Sequence, residues 1–437
     1  MTSWARHVWE RVTASMWFLP AMMSLAAIVL AIVCARLDRL LRTSAASVDF
    51  LYHGDVDSAR TLLSTVAGSM ITVAGVSFSV TMVALSLASS QLGPRLLANF
   101  MRDRGNQIVL GGFIATFLFC LLALGSTPDA TGRLVSVSAS MALVLAVVSL
   151  ALLIYFIHHI ASSMQADYVI QEVAAEVNRS LARIFTGETG HAGDAEALER
   201  ADASGAVVRS PTTGYLRRID EAGLLSTATE HDLRLCVLRR PGHYLTGSVQ
   251  LVRLLGTQSA DPELIRRIQS AFIIGGSRTP EQDPEFGIHQ LVEIALRALS
   301  PGINDPFTAS TCIDHLSGIL CAVADVGEHP PVRWDDDGEA RLQLDPIDFQ
   351  GVLEAAFNQI RQSAAGTVSV SIRLLEALQL IAASTRDAGR LEVIERHARM
   401  VFEANADGLL AEDRRALEER LEALQDSVSD RSDPDSP

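Results

Sequence analysis

TLLSTVAGSMITVAGVSFSVTMVALSLASSQLGP, residues 61–94, runs for 34 residues without a charged side chain. A helix of about 20 apolar residues crosses a bilayer, so this stretch is long enough to span one. It is also rich in small and hydroxyl side chains. Ser64, Gly68, Gly75, Ser79, Ser86 and Ser90 follow one another at spacings of 4, 7, 4, 7 and 4, which places all six on one helix face. Thr61, Thr65, Ser69 and Thr72 widen the polar surface near its start. Two readings fit. Small residues let helix backbones approach closely, so the face packs against a neighbour; or it meets water and lines a pore. In an oligomer both hold, one face packed and another wet. With no Asp, Glu, His or Arg inside the run, a proton relay or charged selectivity ring within it is not expected.

Working outward, residues 12–35, 105–128 and 134–166 are also free of charge. The first follows a basic, aromatic lead (Trp4, Arg6, Trp9, Arg11), but its apolar core is too long for a signal peptide and no clear small-residue cleavage site follows. Trp17 suits a membrane interface. The reading is a transmembrane domain over residues 1–164, with spans near 15–37, 61–90, 107–127 and 134–160. With the N-terminus inside, the two shortest loops place three Arg on the inner side (Arg95, Arg102, Arg104) and one on the outer (Arg133). That follows the positive-inside rule and returns the C-terminal part to the cytoplasm. His158 and His159 end the fourth span, where an interfacial place is the plain reading and pH sensing the sharper one.

Charge divides the chain at the same place. Residues 1–164 carry 10 Arg and 7 acidic residues; residues 165–437 carry 26 Arg and 44 acidic residues. A membrane half and an acidic, water-facing half are expected, and no nucleic-acid partner, which would need a basic surface. All 36 basic residues are Arg, which excludes Schiff-base or P-loop lysine chemistry. The five Cys are scattered without a CxxC pair, so neither a disulfide framework nor a zinc motif is expected.

Residues 165–204 read as a connecting helix, with Val169, Val173, Val177, Leu181 and Ile184 at helical spacing, followed by a Gly- and acid-rich linker. Residues 205–258 show short β-type runs broken by Pro-Thr-Thr-Gly and Arg-Pro-Gly, with a short helix between them. They predict a small β-rich module in which Tyr215 and Tyr244 pack across strands and Gly242 makes a turn. Residues 259–427 read as a helical domain. Within it, residues 325–348 are expected to be an acidic loop whose Asp335-Asp336-Asp337-Gly338 lacks EF-hand spacing. Residues 428–437 are expected to be a disordered tail.

The most informative stretch of this half is RTPEQDPEFGIHQLVEIALRALSPGINDPFTA, residues 278–309. Thr279 and Asp283 are alternative helix caps, each followed by Pro. Ser300-Pro301-Gly302 stops that helix, and Asp305-Pro306 starts the next. Glu285, His289 and Glu293 recur at i, i+4 and i+8, which falls short of a zinc pattern such as HExxH. Arg278, Asp283, Arg297, Asn304 and Asp305 form the candidate ligand or interface loop. They are read either as ion pairs that fix its geometry or as a small-anion site at the helix N-terminus. No nucleophile elbow or Ser–His–Asp set can be placed, so no enzyme, cofactor or metal is expected.

SQLGPR (90–95), GYLRRID (214–220), RPGHYLTG (240–247) and above all residues 278–309 resemble the domain of unknown function 2254 family. The resemblance runs from the first span to about residue 425. It implies an integral membrane protein of bacterial inner membranes and supplies no reaction, substrate or catalytic residue. The expected fold is a four-span α-helical membrane domain joined to a cytoplasmic α+β region. The expected function is a homo-oligomeric channel or transport-related protein gated by that region. The alternative is a membrane-anchored sensor or scaffold whose cytoplasmic domain binds a ligand or protein partner.

Overall fold

The computed structural model describes residues 17–43, 52–91, 93, 103–127, 133–163, 165–185, 205–325, 332–345, 348–405 and 408–432. The linker expected at 186–204 lies outside them. The chain divides into two compact units, Met1–Tyr168 and Val169–Pro437.

The first unit holds α1 (Phe18–Thr43), β1 (Tyr52–Asp55), α2 (Val56–Gln91), α3 (Arg104–Ser126), β2 (Arg133–Ser136) and α4 (Val137–Ser163). The four long helices match the four charge-free runs, with shifted ends. α1 continues past its run through Asp38, and α2 starts at Val56 because Asp55 accepts the Ser58 N–H at 3.2 Å. α3 packs against the other three. Close approach is possible because its Gly111 and Gly112 lack side chains: a Cβ would lie 2.7 Å from Met23 Sδ and 2.5 Å from Leu152 Cδ1. Buried Thr116 and Ser149 join α3 to α4 by a 3.1 Å hydroxyl bond. The outer faces carry exposed Leu25, Val29, Ile71, Val83, Val147 and Ile154, an apolar surface suited to hydrocarbon.

Both ends of this bundle are fastened by carboxylates. At one end β1 and β2 form an antiparallel ribbon, Tyr52 opposite Ser136 and Asp55 opposite Arg133. Buried Asp38 accepts the Val137 N–H at 2.6 Å and caps α4 from α1. Asp103 caps α3 through the Gly105 N–H at 2.8 Å and bonds to His159 Nε2. His159 stacks on Tyr155, so it is a fastening of two helices.

The division between the units falls within α5 (Ala166–Phe185), whose Val169, Val173, Val177 and Leu181 are buried. The second unit continues with β3 (Gly205–Arg209), β4 (Gly214–Ile219), α6 (Glu221–Glu230), β5 (Arg234–Val237), β6 (Tyr244–Leu245) and β7 (Gln250–Leu255). Then come α7 (Pro262–Ser270), β8 (Phe272–Gly275), α8 (Pro284–Ala298), α9 (Pro306–Asp325), β9 (Val332–Trp334) and β10 (Ala340–Gln343). Four helices follow: α10 (Phe349–Ser363), α11 (Val368–Ala383), α12 (Ala388–Glu403) and α13 (Ala411–Ser432). One sheet has the order β3-β7-β5-β10-β9 and the other β6-β4-β8. Leu216, Leu235, Leu251 and Leu254, all fully buried, centre the core of this part.

Several boundaries differ from expectation. The β-rich module draws β8, β9 and β10 from beyond residue 258. The expected acidic loop is a hairpin, and its Leu342 and Val332 are buried. β10 pairs with β5 in parallel, a partner far away in sequence. The Asp335–Gly338 run forms the hairpin's turn. Asp335 accepts the N–H groups of Asp337 and Glu339 and pairs with Arg341 at 2.8 Å. The expected disordered tail is helical through Ser432, because α13 buries Leu417, Leu424 and Val428 along one face. A fifth helix, α9, also meets the length and apolarity of a membrane span, at a mean hydropathy of 1.3 against 1.9–2.7 for the other four. Its Cys312, Ile313, Leu316, Ile319 and Leu320 are buried among the helices of the second unit.

Candidate functional site

On α2 the six stripe residues Ser64, Gly68, Gly75, Ser79, Ser86 and Ser90 are all exposed. The face that packs within the bundle is a different one, made by Ala59, Leu63, Ala67, Ala74 and Ala84. The stripe therefore does not serve packing inside this bundle, and a Cβ at Gly68 or Gly75 would meet nothing within 4 Å. Several hydroxyls on this side are satisfied by their own helix. Thr61, Thr65, Ser69, Thr72 and Ser79 each donate to the carbonyl four residues earlier, at 2.7–3.0 Å. The outer surface of α2 thus mixes small polar residues with exposed Ile71, Val76, Phe78, Val80 and Val83.

The second unit gathers the distinctive motifs at one place. Asp283 caps α8 by accepting the Phe286 N–H at 3.1 Å, so the helix begins at Pro284 and Thr279 does not cap it. The same carboxylate, 2% exposed, takes a two-pronged bond from Arg278, Nε at 2.6 Å and Nη2 at 2.7 Å. Arg278 also approaches Glu285 at 3.8 Å and His289 Nδ1 at 3.2 Å, and lies over the Phe286 ring at 5.9 Å. Arg240 reaches Glu285 at 2.5 Å.

The RPGHY segment closes this knot. The Gly242 N–H donates to Leu216 O at 2.8 Å and the Leu216 N–H to His243 O at 2.9 Å, fastening the segment along β4. Gly242 has φ +97°, and a Cβ there would lie 2.5 Å from Asp283 Oδ2, so only glycine fits. Tyr215 and Tyr244 pack edge to face across β4 and β6 at 5.0 Å, as their spacing predicts. Gln282 bonds both backbone groups of Ile219, at 2.8 and 3.3 Å, extending the pairing past the strand end.

Burial works against the charge on Arg278, but its bonds to Asp283 outweigh burial and raise the guanidinium pKa above its ordinary value. Burial likewise opposes the Glu285 charge, and Arg240 outweighs it and holds the carboxyl below the usual range. His243 is held below the ordinary histidine value, by burial first and by Arg240 second. Asp283 goes the other way: burial outweighs its bonds from Arg278 and lifts its carboxyl above the ordinary value, so the knot is a set of paired charges held against burial.

The five candidate loop residues fall into two groups. Arg278 and Asp283 are in the knot. Arg297 bonds to Glu293 one turn away, at 3.5 Å. Asn304 and Asp305 form the turn between α8 and α9: Asn304 adopts φ +50°, and Asp305 accepts the N–H groups of Phe307 and Thr308 and the Thr308 hydroxyl. Those bonds, Thr308 foremost, hold the Asp305 carboxyl below its ordinary pKa. A shared anion site between Arg278, Arg297 and the N-terminus of α9 does not form, because the Arg278 fork is already filled by Asp283. The i, i+4, i+8 set of Glu285, His289 and Glu293 is likewise engaged by Arg240, Arg278 and Arg297. The turn does present two apolar side chains outward, Ile303 and Phe307, the latter 84% exposed.

The family model described as "Predicted membrane protein (DUF2254)" matches residues 13–380. The chain belongs to that family. Two uncharacterized mycobacterial proteins, one from Mycobacterium tuberculosis strain H37Rv and one from Mycobacterium bovis, are each 31% identical to it over 374 residues. Those alignments cover 84% of this chain and 72% of each relative. No solved structure matches it. As a DUF2254 member it is a multi-pass membrane protein with several apolar helices. In this DUF2254 chain, sequence reasoning paired Arg278 with Asp283 but missed Arg240. Nothing local in RPGHY announces a partner 45 residues away; the signal was that both segments are unusual at once.

Proposed function

We propose that this protein is a homo-oligomeric channel or transport-related protein of the bacterial inner membrane. It has four spans, α1 to α4, with the second unit on the cytoplasmic side, where it gates the membrane part. The reading includes no enzymatic activity and no nucleic-acid partner. The observation that carries it is the outward-facing glycine and hydroxyl face of α2. Lipid alone gives no reason for such a face, whereas close approach of a second copy or a conducting path gives one. The positive-inside bias supports the orientation, and packing of α9 inside the second unit supports four spans rather than five.

The test is ion release from liposomes that contain the purified protein, with Gly75→Leu beside it. Release that the substitution abolishes is the expected result. Absence of release in every ionic condition, with a monomer in detergent and in bilayers, overturns the reading.

A second reading is a membrane-anchored sensor or scaffold. The observation in its favour is the turn at residues 300–306, which presents Ile303 and Phe307 on a fixed backbone, a suitable anchor for a protein partner.

A further inference from the structure

A cavity of about 410 Å³ opens between three helices of the second unit. Its walls are the C-terminal end of α9 (Ala324, Asp325), the turn joining α11 to α12, and the last turn of α13. Three arginines are among its lining residues, Arg386, Arg390 and Arg431. This is notable in a half of the chain where 44 acidic residues outnumber 26 Arg. Arg390 is 7% exposed and held in place: its Nη1 donates to Ala324 O at 2.7 Å, and its guanidinium lies over the Phe349 ring at 5.5 Å. Arg386 and Arg431 make no ion pair among the described residues. Most arginines around them do: Arg373, Arg396, Arg399, Arg414, Arg415 and Arg420 are all paired with Glu or Asp.

Two carboxylates also line the cavity, and their placement matters. Asp387 is spent as the cap of α12, accepting the Arg390 N–H at 2.8 Å. Asp325 is exposed. The N-terminus of α12 and the C-terminal ends of α9, α11 and α13 meet at the same space, so the attraction for an anion comes from the arginines and not from helix ends. The apolar lining is limited to Ala324 and Ala383, so no aromatic platform is present for a nucleobase.

We infer that this cavity binds a small soluble phosphate monoester or free phosphate. Planar guanidinium forks match phosphate oxygens better than single carboxylates do, and the volume lies within the roughly 300–1,000 Å³ of small-molecule sites. The inference goes beyond the proposed function and is independent of it, since binding is read without flux.

The test uses the full-length protein in detergent at low, constant ionic strength. The probes are inorganic phosphate, glycerol 3-phosphate and dioctanoyl phosphatidylglycerol, read by calorimetry and by melting temperature. An Arg386→Gln/Arg431→Gln double variant provides the comparison. Both positions lie outside the buried core, so the variant should melt with the wild type in chloride buffer, and far-ultraviolet circular dichroism checks its fold. Binding of phosphate or glycerol 3-phosphate that weakens at least tenfold in the double variant is the expected result. Equal binding by both proteins, or binding of the lipid probe alone, overturns the inference. So does the absence of heat and of a melting shift for either soluble phosphate in the wild type.

Discussion

The outer face of α2 and the knot around Arg278 are both polar features in apolar surroundings, and they resolve that situation in opposite ways. On α2, from Thr61 to Ser90, every polar group is small and uncharged, and several bond to a carbonyl one turn back on the same helix. The face is self-sufficient and can move against a neighbour without breaking a bond. In the knot, charges from two segments meet, and each is paired with another. Asp283 alone holds a helix end and an arginine. Removing one member strands the rest, because a buried charge without its partner has no water to turn to. The first arrangement suits an interface; the second suits a rigid frame.

The largest expected effect tests that frame. Asp283→Ala leaves Arg278 without its two-pronged partner and α8 without its cap. The expected loss is about 3–5 kcal/mol, measured as unfolding of the detergent-solubilised protein by denaturant or heat. A loss below about 1 kcal/mol, on the scale of an exposed ion pair, would show that the knot contributes no more than surface charges.

The next concerns a buried polar group outside the knot. His397 is 1% exposed and its Nε2 has no hydrogen-bond partner among the described residues. Burial pushes its pKa down to about 4 from 6.5. The folded chain thus resists a proton that the unfolded chain accepts. Its contribution is whole above pH 6.5, shrinks as pH falls, and is lost below about pH 4. At about 1.36 kcal/mol per unit, the loss across that window reaches about 3 kcal/mol. His397→Leu removes the titrating group, so the wild-type-minus-variant difference in unfolding free energy should slope between pH 6.5 and 4. A flat difference would mean that His397 takes up its proton without cost.

Asp305→Ala is expected to lose less, about 0.5–2 kcal/mol, the range for a lost N-cap. Asp305 caps through the same kind of bond as Asp283 but is less deeply buried and pairs with no arginine among the described residues. Comparing the two variants in one unfolding experiment separates capping from charge stranding. Equal losses would show that the knot contributes through its cap alone.

Legibility in the sequence follows the range of the forces involved. The four long helices of the first unit show as charge-free runs, because hydrocarbon acts on every residue of a run independently. Caps at Asp283 and Asp305 are also visible, since a cap is settled within four residues. The choice of Asp283 over Thr279 was not, because both satisfy the local rule and only the tertiary bond to Arg278 separates them. Strands β9 and β10 read as an acidic loop, because three- and four-residue strands show little alternation and their pairing with β5 spans about a hundred residues. α9 reads as one helix of the helical domain, although its length and apolarity are those of a membrane span. The structure buries its Cys312, Ile313, Leu316, Ile319 and Leu320 among other helices and leaves Asp314, Gly318 and Asp325 on the outer side. The α2 stripe was seen, but which side of the helix the bundle would use was not: alanines and glycines are equally small, and the bundle packs on alanine.

Gly75→Leu carries the smallest expected effect on stability and the most informative one on assembly. The position is exposed, nothing lies within 4 Å of the added Cβ, and leucine is the better helix former by several tenths of a kcal/mol. A single bundle should therefore tolerate the change within about 0.5 kcal/mol, unlike any substitution in the knot. A second copy packed against this face would not tolerate it, since the backbone approach that glycine allows would be filled by a four-carbon side chain. The expected outcome is unchanged unfolding of the monomer together with a shift to smaller assemblies, read by mass photometry in detergent. Unchanged assembly and unchanged ion release would place the face against lipid, and the contrast between a sliding surface and a rigid frame would then reduce to one between two inert surfaces.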